Sequence, residues 1–353
     1  MNIIIVTLYN SHNSGSYLQA YSLYRILSNQ GHVVKFLKRH TKGSHAMSHV
    51  IRKMVRSSLK FQFLEAWNNF VKWFVFERAL KKLPIVELNS KFYKTADYII
   101  LGSDTIWNFD SKYFSNNVSL YLGNTFKDKK IISYAASAAN TQLVKFKSVV
   151  DQNGGFSNIK TILVRDNHTK KLVENSYGRT ASLVVDPTLL ATSSIFLPFI
   201  KGNKVNKPYM LLYYFGDLPK DLKQEVLSYS INKGVSIVSM PVHRPWCNHS
   251  VISTPQNMVS YFYNAESILT NTFHGTAFSL IYEKPFAVHD LGKNKVEDLL
   301  NVYGELDRLS KDPKELCLLL SKKSSASLAE RKEILRKESL SLLNVAISNS
   351  ATY

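Results

Sequence analysis

The feature that most constrains the fold is an alternation of short apolar runs with longer segments that have helical spacing. In the first half of the chain the apolar runs lie at residues 3–8, 33–37, 98–101, 131–134, 161–164 and 183–185. Runs of this kind predict buried strands, and residues 16–29 are typical of the helices between them. Strand–helix–strand units with right-handed crossovers predict a parallel sheet that helices cover on both faces.

The same alternation starts again in the second half. Residues 209–214 and 235–239 are predicted strands, and 218–233 is a predicted helix between them. We therefore expect an α/β fold of two Rossmann-like, doubly wound domains that face a cleft. The first domain is predicted to span residues 1–190, and a basic helical segment lies within it at 45–82. A polar linker at 191–208 leads to the second domain at 209–325, and a final helix and tail follow at 326–353.

A strong positive charge is concentrated in one part of the first domain. The chain has a formal net charge of +19, and residues 35–82 hold twelve Lys and Arg against two Glu, a local charge of +10. The aromatic residues among these charges include Trp67, Phe70, Trp73, Phe74 and Phe76. A basic helix with aromatic residues can lie on an anionic membrane or bind nucleic acid, or it can be a solvated helix packed on its own domain. We expect the aromatic side chains to pack, no nucleic-acid partner, and a basic face that is available to an anionic membrane.

Cysteine content and apolar run length indicate the compartment. Cys247 and Cys317 cannot form a disulfide framework, which fits a reducing environment. The first apolar run has no basic residues before it and is predicted to be a strand rather than a signal peptide. Membrane helices need about 18 consecutive apolar residues, and no run is that long. We expect a cytoplasmic protein, with peripheral contact at the inner face of the membrane left open.

One strand–turn–helix unit carries an ionisable side chain at its turn. The apolar pair 268–269 ends in polar residues 270–272, and His274 and Gly275 precede an apolar helical segment at 277–281. A helix start offers unpaired backbone N–H groups and the positive end of the helix dipole, which suit an anion. A histidine beside such a helix start predicts chemistry on an anionic substrate.

The carboxyl ends of the predicted strands also indicate a ligand site near His274. Parallel sheets bind ligands beyond the carboxyl ends of their strands. The loops at these ends carry Asn13, Asp104, Ser137, Arg165 and His274. We therefore expect these five residues to meet at one rim of the cleft.

Five short motifs follow one another along the chain. They are NSGSYLQAY at 13–21, GSDTIWN at 102–108, YAAS at 134–137, the pair VRD at 164–166 and DPT at 186–188, and SILTNTFHGTAFSLIYEKPF at 267–286. In this order they resemble the motifs of the polysaccharide pyruvyl transferase family, whose longest signature is T-D-S-F-H-G-T-x-F-S-I-x-F-x-K-P-F. The resemblance covers most of the chain and implies the two-domain architecture of type B glycosyltransferases.

This resemblance also implies a reaction. Phosphoenolpyruvate would give its pyruvyl unit to two hydroxyls of one sugar, forming a cyclic ketal and releasing phosphate. The acceptor would be a sugar or a lipid-linked oligosaccharide, a precursor of a surface polysaccharide such as exopolysaccharide or capsule. The first domain is expected to bind the acceptor and the second the donor. The histidines lack metal-ligand spacing, so we expect no metal and no cofactor beyond phosphoenolpyruvate as co-substrate.

Five residues are candidates for binding the donor. Arg165 suits a carboxylate or phosphate, and its alternative role is a salt bridge with a residue such as Asp166. His274 can act as general acid, general base or phosphate ligand, or it can order the turn. The other candidates are Gly275 and Thr276 at the predicted helix start, and Lys295, which is otherwise a solvated surface lysine.

The remaining candidates face the acceptor. By resemblance, Asn13, Gly15 and Gln19 belong to a loop that lines the cleft. Asp104 is either a base that activates a hydroxyl, and thus catalytic with His274 and Arg165, or a structural cap. Two departures from the family pattern are Asn271 in place of Asp and Ser14 in place of an aromatic residue.

Two other function classes remain compatible with the sequence. A glycosyltransferase of the same architecture would use a nucleotide sugar, whose diphosphate also suits a helix N-terminus. A non-catalytic basic protein would bind nucleic acid or a membrane and show no turnover.

Overall fold

The computed structural model describes residues 1–38, 63–126, 128–202, 205 and 207–348, with the side chains of 63–66 excepted. The first part of the predicted basic helical segment, 45–82, therefore lies outside the described residues. None of the described helices is long and apolar enough to cross a bilayer.

A first sheet of seven parallel strands occupies the described part of the N-terminal half. The strands are β1 (Asn2–Val6), β2 (Val33–Leu37), β3 (Ile85–Val86), β4 (Tyr98–Leu101), β5 (Lys130–Ala136), β6 (Ile159–Val164) and β7 (Ala181–Leu183). Their order across the sheet is β3-β2-β1-β4-β5-β6-β7, and every recorded pairing is parallel. The chain therefore reverses its winding direction between β1 and β4.

Helices flank this sheet on both faces. They are α1 (Ser14–Asn29), α2 (Phe63–Leu80), α3 (Lys91–Lys94), α4 (Lys112–Ser115), α5 (Val118–Tyr121), α6 (Leu143–Asp151), α7 (Asn167–Tyr177) and α8 (Pro187–Leu190). A 3-10 helix, Ser193–Phe199, follows within the predicted linker, and its Phe196 is fully buried in the core.

A second sheet of six described parallel strands forms the other half. The strands are β8 (Tyr209–Tyr214), β9 (Ser236–Pro241), β10 (His249–Ser250), β11 (Ser267–Thr270), β12 (Phe286–His289) and β13 (Leu309–Ser310), in the order β10-β9-β8-β11-β12-β13. Its helices are α9 (Lys220–Lys233), α10 (Pro255–Asn264), α11 (Phe273–Ile281), α12 (Asn294–Tyr303), a 3-10 turn (Leu306–Arg308), α13 (Pro313–Leu319) and α14 (Leu328–Ser348). The predicted α/β fold of two doubly wound domains is confirmed.

One buried apolar cluster joins the two halves. It contains Ile5 and Leu18 from the first half together with Phe262 and Phe278 from the second. The final helix, α14, returns to the first half, where the hydroxyl of Ser339 accepts a hydrogen bond of 3.0 Å from the backbone N–H of Val185. Burial of this kind is the main source of stability, so the two halves are held in a fixed relation across the cleft.

Two local predictions are wrong. The last strand of the first sheet was predicted at 183–185 but lies at Ala181–Leu183. Val184 and Val185, which follow it, are buried in the core that the two halves share. The aromatic residues of the basic segment were expected to pack. Phe76 is fully buried, but Trp67, Phe70 and Phe74 are exposed, because they lie on the opposite side of α2.

Candidate active site

A cavity of about 490 Å³ lies between the two sheets. Its walls are the loops that follow β1, β4 and β6 in the first sheet and β8, β11 and β12 in the second. Each sheet reverses its winding beside this cavity, between β1 and β4 and between β8 and β11. Crevices at such switch points are where doubly wound sheets bind ligands.

Arg165 lies at the back of this cavity and is held by groups from both halves. Its guanidinium donates from Nη1 to Oδ2 of Asp186 over 2.7 Å, and its Nη2 lies 4.0 Å from Oδ1 of Asp104. The same group stacks 4.2 Å above the ring of Phe273, which belongs to the second half. Its side chain is only 2% exposed, and among the described residues its Nε has no hydrogen-bond partner. The salt bridge that the sequence suggested with Asp166 is thus made with Asp186 instead.

Asp104 is a buried carboxylate that is hydrogen bonded on both oxygens. It accepts from the hydroxyl of Ser16 over 2.6 Å and from the backbone N–H of Thr105 over 2.8 Å. Burial alone would raise the pKa of Asp104, but Arg165, His274, the Ser16 hydrogen bond and Lys295 hold that pKa below its usual value. The carboxylate is therefore ionised at neutral pH and is a weak base.

His274 is placed by the start of α11 and by a close approach of α1. Thr272 caps α11, so His274 is the second residue of this helix. A Cβ built on Gly15 would overlap Nδ1 and Cγ of the imidazole, so only glycine allows the N-terminus of α1 to reach His274. The Nε2 atom is buried and has no hydrogen-bond partner in the described part of the chain.

The surroundings of His274 favour the neutral imidazole. Burial lowers its pKa most, Asp186 and Asp104 oppose this change, and Arg165 and Lys295 add to it. The net result is a pKa below the usual value, so the ring is uncharged at neutral pH. A neutral imidazole can accept a proton, which suits a general base better than a general acid.

Two lysines complete the positive side of the cavity. Lys295 is at the start of α12, and Lys293, which the sequence analysis missed, donates from Nζ to the backbone O of Asn271 over 2.9 Å. Burial lowers the pKa of both lysines, and Arg165 lowers that of Lys295 further. Lys293 could have been found from sequence, because it follows the carboxyl end of β12 as closely as the other site residues follow their strands.

The charge of the cavity is predominantly positive. Among its described lining residues three side chains are cationic, Arg165, Lys293 and Lys295, and only Asp104 is anionic. An excess of partly desolvated cations around a concave site favours an anionic ligand.

Asn13 also lines this cavity, whereas four other predicted site residues, Gly15, Gln19, Gly275 and Thr276, lie behind its wall. Asn13 caps α1 by accepting from the backbone N–H of Gly15 over 2.9 Å. Gln19 is fully buried; its Nε2 donates to the backbone O of Ser16 over 2.8 Å, and its Oε1 accepts from the hydroxyl of Ser103. Gln19 thereby links the loops after β1 and β4. Both polar atoms of its amide already have protein partners and are not directed at a ligand.

Gly275 and Thr276 are buried inside the helix start rather than in the cavity wall. The backbone N–H of Gly275 donates to Oγ1 of Thr272 over 2.9 Å, and the hydroxyl of Thr276 donates to the backbone O of Thr272 over the same distance. A side chain at Gly275 would collide with Thr270, so this glycine permits α11 to start directly against β11. These groups shape the turn that presents His274.

Asn271 positions an aromatic ring at the cavity. Its side-chain amide accepts from the backbone N–H of Phe215 over 3.0 Å and donates to the backbone O of the same residue over 2.8 Å. An aspartate could make only the first of these bonds. Phe215 lines the cavity and keeps 42% of its surface exposed, so its ring is available to a ligand.

The chain matches one protein-family model. The model of the family described as polysaccharide pyruvyl transferase matches residues 13–289. No curated protein matches the chain in sequence.

Several solved structures are similar over nearly their whole length at low identity. UDP-GlcNAc 2-epimerase from Neisseria meningitidis bound to UDP-GlcNAc is 11% identical, with 96% of this chain and 94% of that chain covered and a TM-score of 0.49. S. aureus MnaA with UDP is 12% identical, with 97% and 98% covered and a TM-score of 0.49. Spinosyn rhamnosyltransferase SpnG is 10% identical, with 97% of each chain covered and a TM-score of 0.44. No functional conclusion follows from these likenesses.

The surroundings of His274 predict its titration. Because burial and the neighbouring cations outweigh the two carboxylates, His274 should titrate below the usual histidine pKa of about 6.5. The measurement is an NMR pH titration of the imidazole C–H signals, assigned by their loss in His274→Gln. Added inorganic phosphate should move the midpoint upward, since a bound anion stabilises the charged ring. A midpoint above the usual value in the free protein would contradict this account.

The close approach at Gly15 predicts a steric effect. Gly15→Ala should push the imidazole aside, so that the signals of His274 shift and its pKa moves towards the usual value as the ring gains water. Gly202→Ala is the matched control, because a Cβ there meets open space and the backbone is ordinary. Unchanged His274 signals in Gly15→Ala would show that α1 does not constrain the ring.

Proposed function

Since this chain belongs to the polysaccharide pyruvyl transferase family, we propose that it transfers the pyruvyl unit of phosphoenolpyruvate to two hydroxyls of a sugar in a surface-polysaccharide precursor. The observation that carries the proposal is the cluster of Arg165, Lys293, Lys295 and His274 around one cavity at both switch points. Phosphoenolpyruvate has a phosphate and a carboxylate on one small carbon frame. A compact cationic cavity matches that pair of anions.

Arg165 and the two lysines are proposed to hold the donor. The guanidinium is already oriented by Asp186 and by the ring of Phe273, so little freedom is lost when it binds an anion. Lys293 and Lys295 add positive charge from the second half of the chain and can stabilise phosphate as it leaves. In this proposal these side chains supply the positive charge, and phosphoenolpyruvate is the co-substrate without a further cofactor.

His274 is proposed as the general base for the acceptor. As a neutral ring it takes the proton of the attacking hydroxyl, whose oxygen bonds to C2 of the donor while C3 gains a proton. The second hydroxyl then bonds to C2 as the bond from C2 to the phosphate oxygen breaks. The two acceptor hydroxyls lose one proton each. One proton is gained at C3, and the other leaves with phosphate.

Asp104 is proposed to support this chemistry rather than to abstract a proton. Arg165, His274 and the Ser16 hydrogen bond hold its pKa below the usual carboxylate value, so Asp104 is a weak base. Its contacts with Ser16 and Arg165 instead fix the start of α1 against the guanidinium. The first-sheet carboxylate thus orients the groups that hold the donor.

A second cavity suits the acceptor. It has a volume of about 700 Å³ and shares Leu8 and Ser11 with the donor cavity. Tyr9, Tyr113 and the pair formed by His12 and Glu77 line it, so it offers both ring edges and polar groups to a sugar. We place the acceptor sugar here, with its reacting hydroxyls directed past Leu8 and Ser11 towards the donor cavity. Because phosphoenolpyruvate is a cytoplasmic metabolite, the proposal also places the enzyme in the cytoplasm.

The decisive experiment supplies the protein with phosphoenolpyruvate and extracted lipid-linked precursors. Mass spectrometry should detect an added pyruvylidene group together with one equivalent of phosphate. A parallel heat-stability series compares phosphoenolpyruvate with UDP-sugars, and the true donor should raise the melting temperature. Stabilisation by a UDP-sugar alone, with glycosyl transfer, would replace the proposal by the glycosyltransferase alternative. Steeply salt-dependent binding to DNA without turnover would replace it by a nucleic-acid-binding role.

Two variants separate the roles of the cationic groups. Arg165→Lys keeps a cation beside Asp186 and Asp104 but loses the planar fork, so KM for phosphoenolpyruvate should rise about tenfold or more with a smaller change in kcat. His274→Gln should lower kcat by about two to four orders of magnitude and change donor affinity less. Steady-state kinetics at saturating acceptor measure both. Equal kcat for His274→Gln and the wild type would remove this histidine from the chemistry.

A further inference from the structure

Helix α2 has two faces with different surroundings. Phe76 and Leu80 point into the core of the first half, where they are 0% and 9% exposed. Trp67, Phe70 and Phe74 lie on the other side and are 61%, 37% and 55% exposed. Their spacing, three and then four residues, places them in one stripe along the helix. We call these three residues the aromatic stripe.

Aromatic rings lie side by side on this face of α2. The ring centroids of Trp67 and Phe70 are 6.0 Å apart, and half-buried Trp73, which lies beside the aromatic stripe, has its ring centroid 6.2 Å from that of Phe70. Single exposed apolar side chains are ordinary on a protein surface and need no explanation. Adjacent exposed aromatic rings on one helix face mark a surface that is covered by something else.

The charges around the stripe identify what covers it. Arg78, Lys81 and Lys82 are exposed at the carboxyl end of α2, and the nearest acid, Glu77, is paired with His12 over 3.2 Å. An apolar face bordered by Lys and Arg is the composition of helices that lie in the headgroup region of anionic membranes. The chain as a whole carries +19, so its long-range attraction is to anionic surfaces.

A bilayer fits this surface better than a nucleic acid does. The phosphates of a nucleic acid need cations along the whole contact. The centre of this face is aromatic, the half-buried Lys72 lies over the ring of Phe76, and the exposed cations that the structure describes lie at the carboxyl end of the helix. We propose that α2 docks the protein on an anionic bilayer, with the aromatic stripe inserted at headgroup depth and Arg78 and Lys82 facing anionic lipid.

Docking through α2 would also bring a membrane-bound acceptor close to its cavity. Glu77, Leu80 and Lys81, at the end of the same helix, line the cavity of about 700 Å³ that adjoins the donor site. One helix thus has an outward face for lipid and an inner end at the cavity. This link to a lipid-linked acceptor rests on the proposed function, whereas the docking surface itself does not.

The test is co-sedimentation of the full-length protein with vesicles of phosphatidylglycerol and phosphatidylcholine. Changing Trp67, Phe70 and Phe74 together to Ser should weaken binding to the anionic vesicles about tenfold or more. The matched control changes Val144, Ile231 and Leu318 to Ser, which removes three apolar side chains that are exposed elsewhere on the surface. This control should bind as the wild type does. Melting temperatures verify that both variants are folded.

Two further measurements distinguish membrane docking from a loss of catalysis. Brominated lipid should quench the tryptophan fluorescence of the wild type, and this quenching should be lost in the stripe variant. Turnover of a soluble acceptor should be unchanged in that variant, so a failed turnover assay in every protein would count against the proposed reaction and not against docking. Equal vesicle binding by the stripe variant and the wild type would overturn the docking proposal. A stripe variant that only changes from dimer to monomer in light scattering would assign the stripe to a subunit interface instead.

Discussion

The buried guanidinium of Arg165 is the interaction on which the rest of the site depends. A cation can be taken out of water only if carboxylates and hydrogen bonds replace its hydration. Asp186 and Asp104 do this from the first half of the chain, and the ring of Phe273 covers the group from the second half. The two sheets are therefore joined, at the floor of the cleft, by a charge that neither sheet encloses alone.

A second constraint is the space between α1 and α11. Both helices begin at the cleft, and the absent side chain of Gly15 lets them approach until one covers the ring of His274. That cover removes water from the imidazole and lowers its pKa, while Arg165 and the nearby lysine hold the pKa of Asp104 down. Both groups are therefore unprotonated at neutral pH, the imidazole as a neutral ring and the carboxylate as an anion. The close packing of the imidazole and its lowered pKa thus have one cause, the contact between the start of α1 and the start of α11.

Much of the fold and part of the site could be predicted from residue patterns. Strand positions followed from apolar runs, and the rim of the cleft followed from the rule that parallel strands deliver loops at one end. Asp104, Arg165 and His274 meet at the cavity for that reason. Gln19 was proposed from the family resemblance and Thr276 from the helix start. The side chains of both make local hydrogen bonds that a linear pattern does not reveal.

The sequence by itself determined the alternation of elements, the strand–turn–helix unit around His274 and the residue types at the strand ends, because these depend on neighbours within a few positions. Only the tertiary structure decided that Arg165 pairs with Asp186, that Asn271 holds Phe215, and that the aromatic rings of α2 divide between core and surface. Each of these outcomes depends on which distant segments come into contact. Local periodicity gives the face of a helix, but the partner of that face is set by the packing of the whole chain.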